Sequence, residues 1–593
     1  IDWNIVKTNH TINASRDLKL LGLLVESEEL QMDGTTTLGS SSTSSGTGYG
    51  LYISHYLKLD GIIDLEGESQ LIQKRYTPTQ FSESILDAAS SGYIERDQQG
   101  DGNKFRYNDW SSPVQQIFNG STYSIPGNNT YNIWGVLRDG TTPLNPKKIT
   151  FIGGLDGQNT DPIQISNYWL YVYTNFTHDD YYSWLRAGSN SILKVGEGFL
   201  MKGTGGVGSI DQNYVFVGRP NNGDIELTVS GDNDYLIGNP YPSAIDANQF
   251  ITDNVGSITG ALYFWDHYGG DSHYLLDYQA GFATYNLSGG APATVHPIND
   301  PTAPDGTKVP ERYIAVGQGF FIQGNDGVNQ QVLFNNNQRI FQTEGSGSSI
   351  FMKSSNTNSK QLSQIGNIED TRKKFRIGFN GTKQTHRQLL LTIDENASDE
   401  IDFGYDAQIY RINSDDMYWL IDDKEFVIQG TNNISIDKEF PIGIQLIEGG
   451  KISIEVDELK NVEETSLYIK DASTGETFEI TNQPFEIELE AGIYSDRFKL
   501  VFQPRLKRLD EISLEKGIYV YMNNAISELE FNKIVDTDIK GITLFNYLGQ
   551  HIKNWNSEFS NRRFSLPLNE AAGVYIVKIA TTNGAITKKI VVE

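Results

Sequence analysis

The sequence predicts an all-β protein built from tandem β modules, and three observations predict it. Aromatic residues and glycine are plentiful, with 31 Tyr, 28 Phe, 8 Trp and 58 Gly. Apolar runs are short and are broken by Asn, Asp, Gly and Ser, as strands and turns require. Downstream of residue 373 many of those runs alternate apolar and polar residues with period two, the pattern of a sheet with one wet face.

Bulk properties narrow the function classes. At roughly 100–200 residues per domain, 593 residues make about three to five domains. The formal charge is −28, from 75 acidic against 47 basic residues. A surface of that sign attracts neither nucleic acid nor anionic lipid, so no nucleic-acid partner is expected, and a cation-rich extracellular setting fits. The chain has no cysteine, which excludes disulfides, thiolate nucleophiles and Cys-ligated metals. No run approaches the ~18 consecutive apolar residues of a membrane span. The chain opens Ile1-Asp2-Trp3-Asn4 without a charged-then-apolar leader, so a mature form or the C-terminal part of a longer protein is expected.

The first element is residues 1–91. Apolar runs at 18–25, 51–53, 57–59 and 63–65 are punctuated by Gly61 and Gly67, and a Ser-rich flexible loop fills 39–46. They read either as a β-solenoid-like stalk or as an ordinary antiparallel sheet. Residues 92–223 and 224–340 come next and look like two copies of one unit. Val195-Gly-Glu-Gly-Phe-Leu-Met-Lys-Gly203 matches Val316-Gly-Gln-Gly-Phe-Phe-Ile-Gln-Gly324. Each is followed by an apolar strand and an Asn-rich turn, Tyr214-Val-Phe-Val-Gly-Arg-Pro-Asn-Asn222 and Gln331-Val-Leu-Phe-Asn-Asn-Asn337. Paired sandwich-like modules are expected. Residues 341–372 read as a linker, and 373–505 as one or two β-sandwiches.

After a charged connector at 505–516, seven strand candidates crowd the last 75 or so residues, at 518–522, 526–531, 541–546, 551–555, 564–566, 573–579 and 585–592. Seven short strands with turns such as Asn583-Gly584 suggest an immunoglobulin-like sandwich. The residues add a second layer. Leu544-Phe-Asn-Tyr-Leu-Gly-Gln550, Gly573-Val-Tyr-Ile-Val-Lys-Ile579, Gly584 and Thr587-Lys-Lys-Ile-Val-Val592 occur in that order. Over 516–593 the chain thereby resembles the type A C-terminal sorting domain of type IX secretion cargo. It departs from that pattern at Tyr521-Met-Asn-Asn524, where the family has Tyr-Pro-Asn-Pro. The modules upstream are similar to the large multi-domain surface proteins of flavobacteria.

The resemblance implies export across the outer membrane to the cell surface, with an SprA-type translocon and a PorV-type shuttle barrel as partners. It implies secretion-signal recognition by Asn546, Leu548, Gly549, Gly573, Tyr575, Lys578, Gly584, Lys588 and Lys589. The three lysines are expected to form a basic patch on an acidic protein, with solubility and edge protection as the alternative role.

Catalytic chemistry has little support. Gly203-Thr-Gly-Gly-Val-Gly208 matches the dinucleotide pattern, but a strand follows where a helix must hold the pyrophosphate. There is no H-E-x-x-H and no G-x-S-x-G. No catalytic residue and no obligatory cofactor is assigned. Calcium is a candidate ligand at Asp97, Asp101, Asn103 and Asp109, an oxygen-rich loop lacking the closing Glu, and an acidic hairpin turn is the alternative. Trp265, Asp266 and His267, with Asp271, His273 and Asp277 close behind, are candidate glycan contacts, because ring faces stack on sugars and carboxylates accept their hydroxyls. Asp179, Asp180 and Trp184 hold a comparable stretch in the first copy, which favours shared architecture. Three classes remain: a non-enzymatic adhesive or structural surface protein, a carbohydrate-binding surface protein with surface glycans as ligand, and the C-terminal part of a polysaccharide-degrading enzyme.

Overall fold

The first sixty or so residues coil. In the computed structural model, Ile5–Thr8, Leu18–Val25 and Gly50–Leu59 pair in parallel, and Gln70–Ile72 and Ile85–Leu86 add to Gly50–Leu59 in the same sense. Between them the chain crosses to a second parallel sheet made of Ile12–Ala14, Glu29–Met32, Ile62–Leu65 and Tyr93–Gly100. Parallel pairing in register stacks like on like, so Leu30, Ile63 and Ile94 form a ladder that is all but closed to solvent. The N-terminal segment is therefore a solenoid end and not an antiparallel sheet. The description covers every residue except 1–3, 37–45, 75–83, 119–121, 124–128, 207–210, 295–305, 307, 328, 345–348, 350, 353–369, 384, 463–464, 505–513 and 536. Most of the Ser-rich loop, residues 207–208 of the glycine motif, and most of the expected linker and connector lie outside it.

The last solenoid strand has a second role. Tyr93–Gly100 pairs in parallel with Ile62–Leu65 and antiparallel with Gln212–Pro220, so hydrogen bonding runs across the expected boundary at 91/92. Inside that pair Tyr107–Trp110 meets Phe199–Lys202, then Thr130–Tyr131 meets Leu193–Lys194, and the helix Ile133–Val136 follows. Residues 224–340 nest in the same order. Ile225–Val229 pairs Gln330–Phe334, Asn233–Gly238 pairs Gly319–Gly324, Ala244–Asp246 pairs Tyr313–Ile314, and the helix Ala247–Asp253 follows.

The matching glycine segments are where the two halves touch. Glu197 bridges Ile237 and Gln318 bridges Trp110. Gly196 and Gly317 adopt φ of +92° and +69°, which glycine takes without penalty. Gly198 and Gly319 lie against the opposing strand, where an added Cβ would come 3.0 Å from the Ile237 carbonyl oxygen and 2.9 Å from the Asp109 carbonyl carbon. Paired sandwich-like modules were the expectation. Reciprocal backbone contact joins the halves.

The described part of the expected linker is packed, not loose. Phe351 and Met352 are 1% exposed, and the Met352 N–H donates to Gln318 Oε1 at 2.6 Å. Composition read the serines and missed this apolar pair. Residues 374–504 form one eleven-stranded sheet. Its outer strands Glu476–Glu479 and Phe485–Leu489 bring Phe478 and Phe485 to 4.9 Å between ring centres. The sheet thus closes on its own apolar face, with Phe375, Ile377, Trp419, Ile442, Ile454 and Phe498 at 0% exposure. Residues 1–503 make one compact unit and 504–593 another.

Candidate functional site

Among its described residues the C-terminal unit has seven strands, as the sequence predicts. Ile518–Asn523, Glu528–Lys533 and Arg563–Pro567 form one sheet, and His551–Trp555, Ile539–Asn546, Gly573–Thr581 and Gly584–Val592 form the other in that spatial order. Alternation builds the core. Tyr575, Val577 and Ile579 point inward while Ile576, Lys578 and Ala580 face water.

Each motif residue now has a local role. Asn546 Oδ1 accepts from the backbone N–H of Leu548 and of Gln550 at 3.0 and 2.9 Å, and its amide donates to Gln550 Oε1 at 2.7 Å. Gly549 sits at φ +82° with nothing within 4 Å of where a Cβ would stand, so its backbone conformation, not space, requires glycine. These residues build a tight hairpin whose tip carries Tyr547 and Leu548, 72% and 67% exposed. Gly584, at φ +132°, closes the last hairpin opposite Thr581.

Tyr575 is structural. It is 8% exposed, and its hydroxyl donates to the Ala571 carbonyl at 2.8 Å. A tyrosine at a strand start bonding back across the corner is the tyrosine corner of immunoglobulin-like sandwiches. Gly573 begins the same strand opposite Val592, with the nearest contact of an added Cβ at 3.7 Å. The lysines divide. Lys578 and Lys589 lie on the solvent face of the four-stranded sheet, whereas Lys588 stands opposite the fully buried Val577, on the inward phase. Two lysines, not three, share the outer face, because neighbours along a strand point to opposite sides.

At the departure Tyr521–Asn524, side chains do the holding. Asn523 donates to Glu530 at 2.7 Å, and Asn524 Oδ1 accepts the backbone N–H of Glu593 at 3.1 Å. Sequence reasoning missed Lys533, which is 3% exposed and donates to the carbonyls of Thr537, Phe559 and Ser560 at 2.8, 2.9 and 3.1 Å. Its position two residues after Phe531, on the inward phase, was the available signal.

The glycan candidates Trp265, Asp266 and His267 are not a surface platform. They lie on Ile258–Gly269, a strand paired on both sides and covered on both faces. Leu262 and Phe264 join one apolar core, while Ala261 and Tyr263 join another. Asp266 and His267 are 0% and 1% exposed, and Trp265 is half-buried against Phe282 at 5.0 Å. Burial drives the Asp266 carboxyl up and the His267 ring well below its ordinary value. His267 Nδ1 accepts the Tyr107 N–H at 3.1 Å.

Beside them lies a caged lysine. Lys202, 2% exposed, sits 4.6, 4.0 and 4.8 Å from the ring centres of Tyr107, Trp169 and Tyr278. It donates to the Tyr278 hydroxyl at 2.7 Å. Burial lowers it to about 7. Outward from this cage the aromatics reach solvent. Tyr168, Tyr181, Tyr182 and Tyr274 are 37%, 63%, 89% and 62% exposed, and Arg186 stacks on Tyr168 at 4.7 Å. His273 stacks on Trp169 at 4.8 Å and bonds Asp156 at 2.8 Å. Of the comparable first-half residues, Asp180 caps a short helix, Asp179 pairs with Arg411, and Trp184 packs on Tyr173 at 5.2 Å. Sequence reasoning centred on the interior strand, named His273, Asp180 and Trp184 in these loops, and did not single out the exposed tyrosines.

The calcium candidates do not converge. Asp97 accepts the Gly67 N–H at 2.9 Å, and Asp101 accepts the Asn103 N–H at 2.7 Å. Asn103 spends its amide oxygen on the Phe105 N–H at 2.9 Å and its amide nitrogen on Asp271 at 2.9 Å. Asp109 is 1% exposed, and burial drives its carboxyl well above the ordinary value. Among the described residues, Asp97, Asp101 and Asp109 are not part of any three-ligand group. The Asp97 and Asp101 carboxylates serve the backbone instead.

A family model described as "Domain of unknown function (DUF8693)" matches residues 155–502, more than half of the chain. The chain belongs to the DUF8693 family. In this DUF8693 protein the model described as "Secretion system C-terminal sorting domain" matches residues 520–593. It is type IX secretion cargo, exported across the outer membrane to the cell surface or the extracellular space, and the sorting domain engages the type IX machinery. No curated protein matches. A solved structure titled "Biofilm associated protein - BSP domain" is 7% identical, covering 84% of this chain and 97% of its own, with a TM-score of 0.11. Similarity that low carries no argument about fold or function.

Proposed function

We propose that residues 1–503 are a non-enzymatic adhesive body displayed at the cell surface, and that its ligand is a glycan gripped by the exposed aromatic group Tyr168, Tyr181, Tyr182 and Tyr274. The observation that carries this reading is the exposure of those four rings, with the Arg186 guanidinium stacked on Tyr168 and the Asp180 carboxylate accepting the Tyr182 N–H. Ring faces stack on pyranose C–H bonds while the charged groups bind hydroxyls. The identical nesting order of 92–223 and 224–340 supports reading them as two copies of one module. Within the machinery, an SprA-type translocon and a PorV-type shuttle barrel are the proposed receptors of the terminal domain.

Two experiments separate the parts. A glycan array probed with the full chain and with the Tyr181→Ala/Tyr182→Ala double variant tests the body. Loss of at least about tenfold in affinity is expected, since stacked rings dominate such contacts; unchanged binding by the double variant removes the aromatic reading. Deleting 516–593 tests the address. The truncated chain is expected in the periplasm, and its normal surface display would falsify the role given to the terminal domain.

A further inference from the structure

We infer that residues 378–380, 386–388 and 453–457 build a site for a first-row divalent cation, with Zn²⁺ as its best probe and His386, Glu455 and Asp457 as its ligands. One ligand atom from each of these three side chains lies within 4.8 Å of the other two. Two strands carry them, His386–Ile393 with the histidine and Gly450–Lys460 with both carboxylates, on either side of Lys374–Asn380.

The middle strand leaves room. Gly378 lies between Gln388 and Glu455 in register, and a Cβ there would stand 2.2 Å from Asp457 Oδ1 and 2.6 Å from His386 Cε1. Histidine and aspartate therefore close over the glycine from either side. Asp457 is also the extra residue of a β-bulge, since Ile377 pairs Val456 and Arg376 pairs Glu458. Bulges re-aim side chains in this way beside functional sites.

Proton bookkeeping asks for a cation. Asn380 Nδ2 donates to Glu455 at 2.8 Å and to Ser453 Oγ at 3.0 Å. That fixes its amide, so Asn380 Oδ1 accepts from His386 Nδ1 at 2.8 Å. His386 Nε2 then faces Asp457 Oδ2 at 3.0 Å. An imidazole lone pair cannot face a carboxylate without a positive centre, either a second ring proton or a metal. A hydrogen bond from the far ring nitrogen is how metal-bound histidines are oriented. Arg376, the nearby guanidinium, is engaged with Gln388, Gly290 and Glu458. Zn²⁺ takes such ligands at about 2.0–2.2 Å, so side-chain rotation must draw the three atoms onto one ion. The side chains of His386 and Asp457 are 33% and 16% exposed, so water completes the coordination.

Titration calorimetry of the chelator-treated full chain with ZnCl₂, with CaCl₂ as control, tests the site. One Zn²⁺ site is expected that His386→Ala abolishes. Asp457→Asn is expected to weaken it at least about tenfold, and Asn380→Ala, which acts by positioning, about 10–100-fold. Co²⁺ bound to the parent and missing from His386→Ala gives a spectroscopic reading of the nitrogen ligand. Equal Zn²⁺ affinity in parent and Asp457→Asn, which keeps the side-chain shape if His386→Ala misfolds, overturns the proposal. No Zn²⁺ binding by the parent also overturns it and leaves a protonated histidine only.

Discussion

Residues 1–503 and the C-terminal unit bury different things. The body closes ionisable groups inside itself, including Asp64, Asp109, Asp266, His267 and Lys202, all at 4% exposure or less. Among the described residues of the terminal unit only Lys533 and Thr537 are buried and polar. The difference follows from layering. A seven-stranded sandwich has one thin interior, and its polar motif residues stay at hairpin tips and corners. In the body, strands such as Ile258–Gly269 are covered on both faces, so polar side chains are enclosed whichever way they point. Local sequence motifs therefore report local geometry in the terminal unit and fail to do so in the body.

The sharpest test of the terminal half is Tyr575→Ala. It removes a buried ring and the corner hydrogen bond, and it is expected to cost about 3–5 kcal/mol in urea unfolding of the terminal transition. Tyr575→Phe keeps the ring and loses only the hydrogen bond, at about 1 kcal/mol. A Tyr575→Ala cost no larger than that of Tyr575→Phe would mean the corner is not what holds this sandwich.

The same contrast governs what was legible. Seven strands, the Asn546 hairpin and the glycines at 549 and 584 follow from sequence because turn chemistry is local. The solenoid end was half legible, since its parallel register depends on residues thirty positions apart. The glycan and calcium candidates were misplaced. Trp265-Asp266-His267 has the composition of a binding strip, but only the cover supplied by the second core makes it interior. The pairing of His386 with Asp457 was invisible, because two strand crossings and a bulge bring them together.

For the body the expected effect is next in size. Asp64 stands beside Glu95 on adjacent parallel strands. Burial, then Glu95 and Asp97, raise Asp64 to about 9, and burial raises Glu95 to about 7. A carboxyl whose folded value is raised contributes stability that is complete below its unfolded value, and that stability is lost as pH rises through the folded value. The body is therefore expected to weaken from about pH 4 to pH 9. Asp64→Asn removes the larger part of that slope and is expected to stabilise by at least about 1 kcal/mol at pH 8 while giving no gain at pH 4. A gain that is the same at both pH values would show that packing, not titration, is responsible.

Gly549→Ala is a smaller perturbation on the terminal side. The left-handed φ costs a side chain about 1 kcal/mol, and no neighbour stands in the way. Thermal unfolding is expected to show that loss and no more; a loss several times larger would indicate that the hairpin carries the fold.

The smallest effect on stability is expected from Leu548→Ser, and it is the most informative about recognition. Leu548 is 67% exposed at the tip that Asn546 and Gly549 shape, so its removal is expected to change stability by less than about 0.5 kcal/mol. An exposed apolar side chain on a rigid turn contributes nothing to its own fold and is available to a receptor. If the type IX machinery reads this tip, Leu548→Ser reduces the fraction of chain reaching the surface while the purified protein melts as the parent does. Equal surface display of parent and variant would move recognition to the outer sheet face, where Lys578 and Lys589 flank Ile576. A Lys578→Glu/Lys589→Glu double variant would then be the one to lose export.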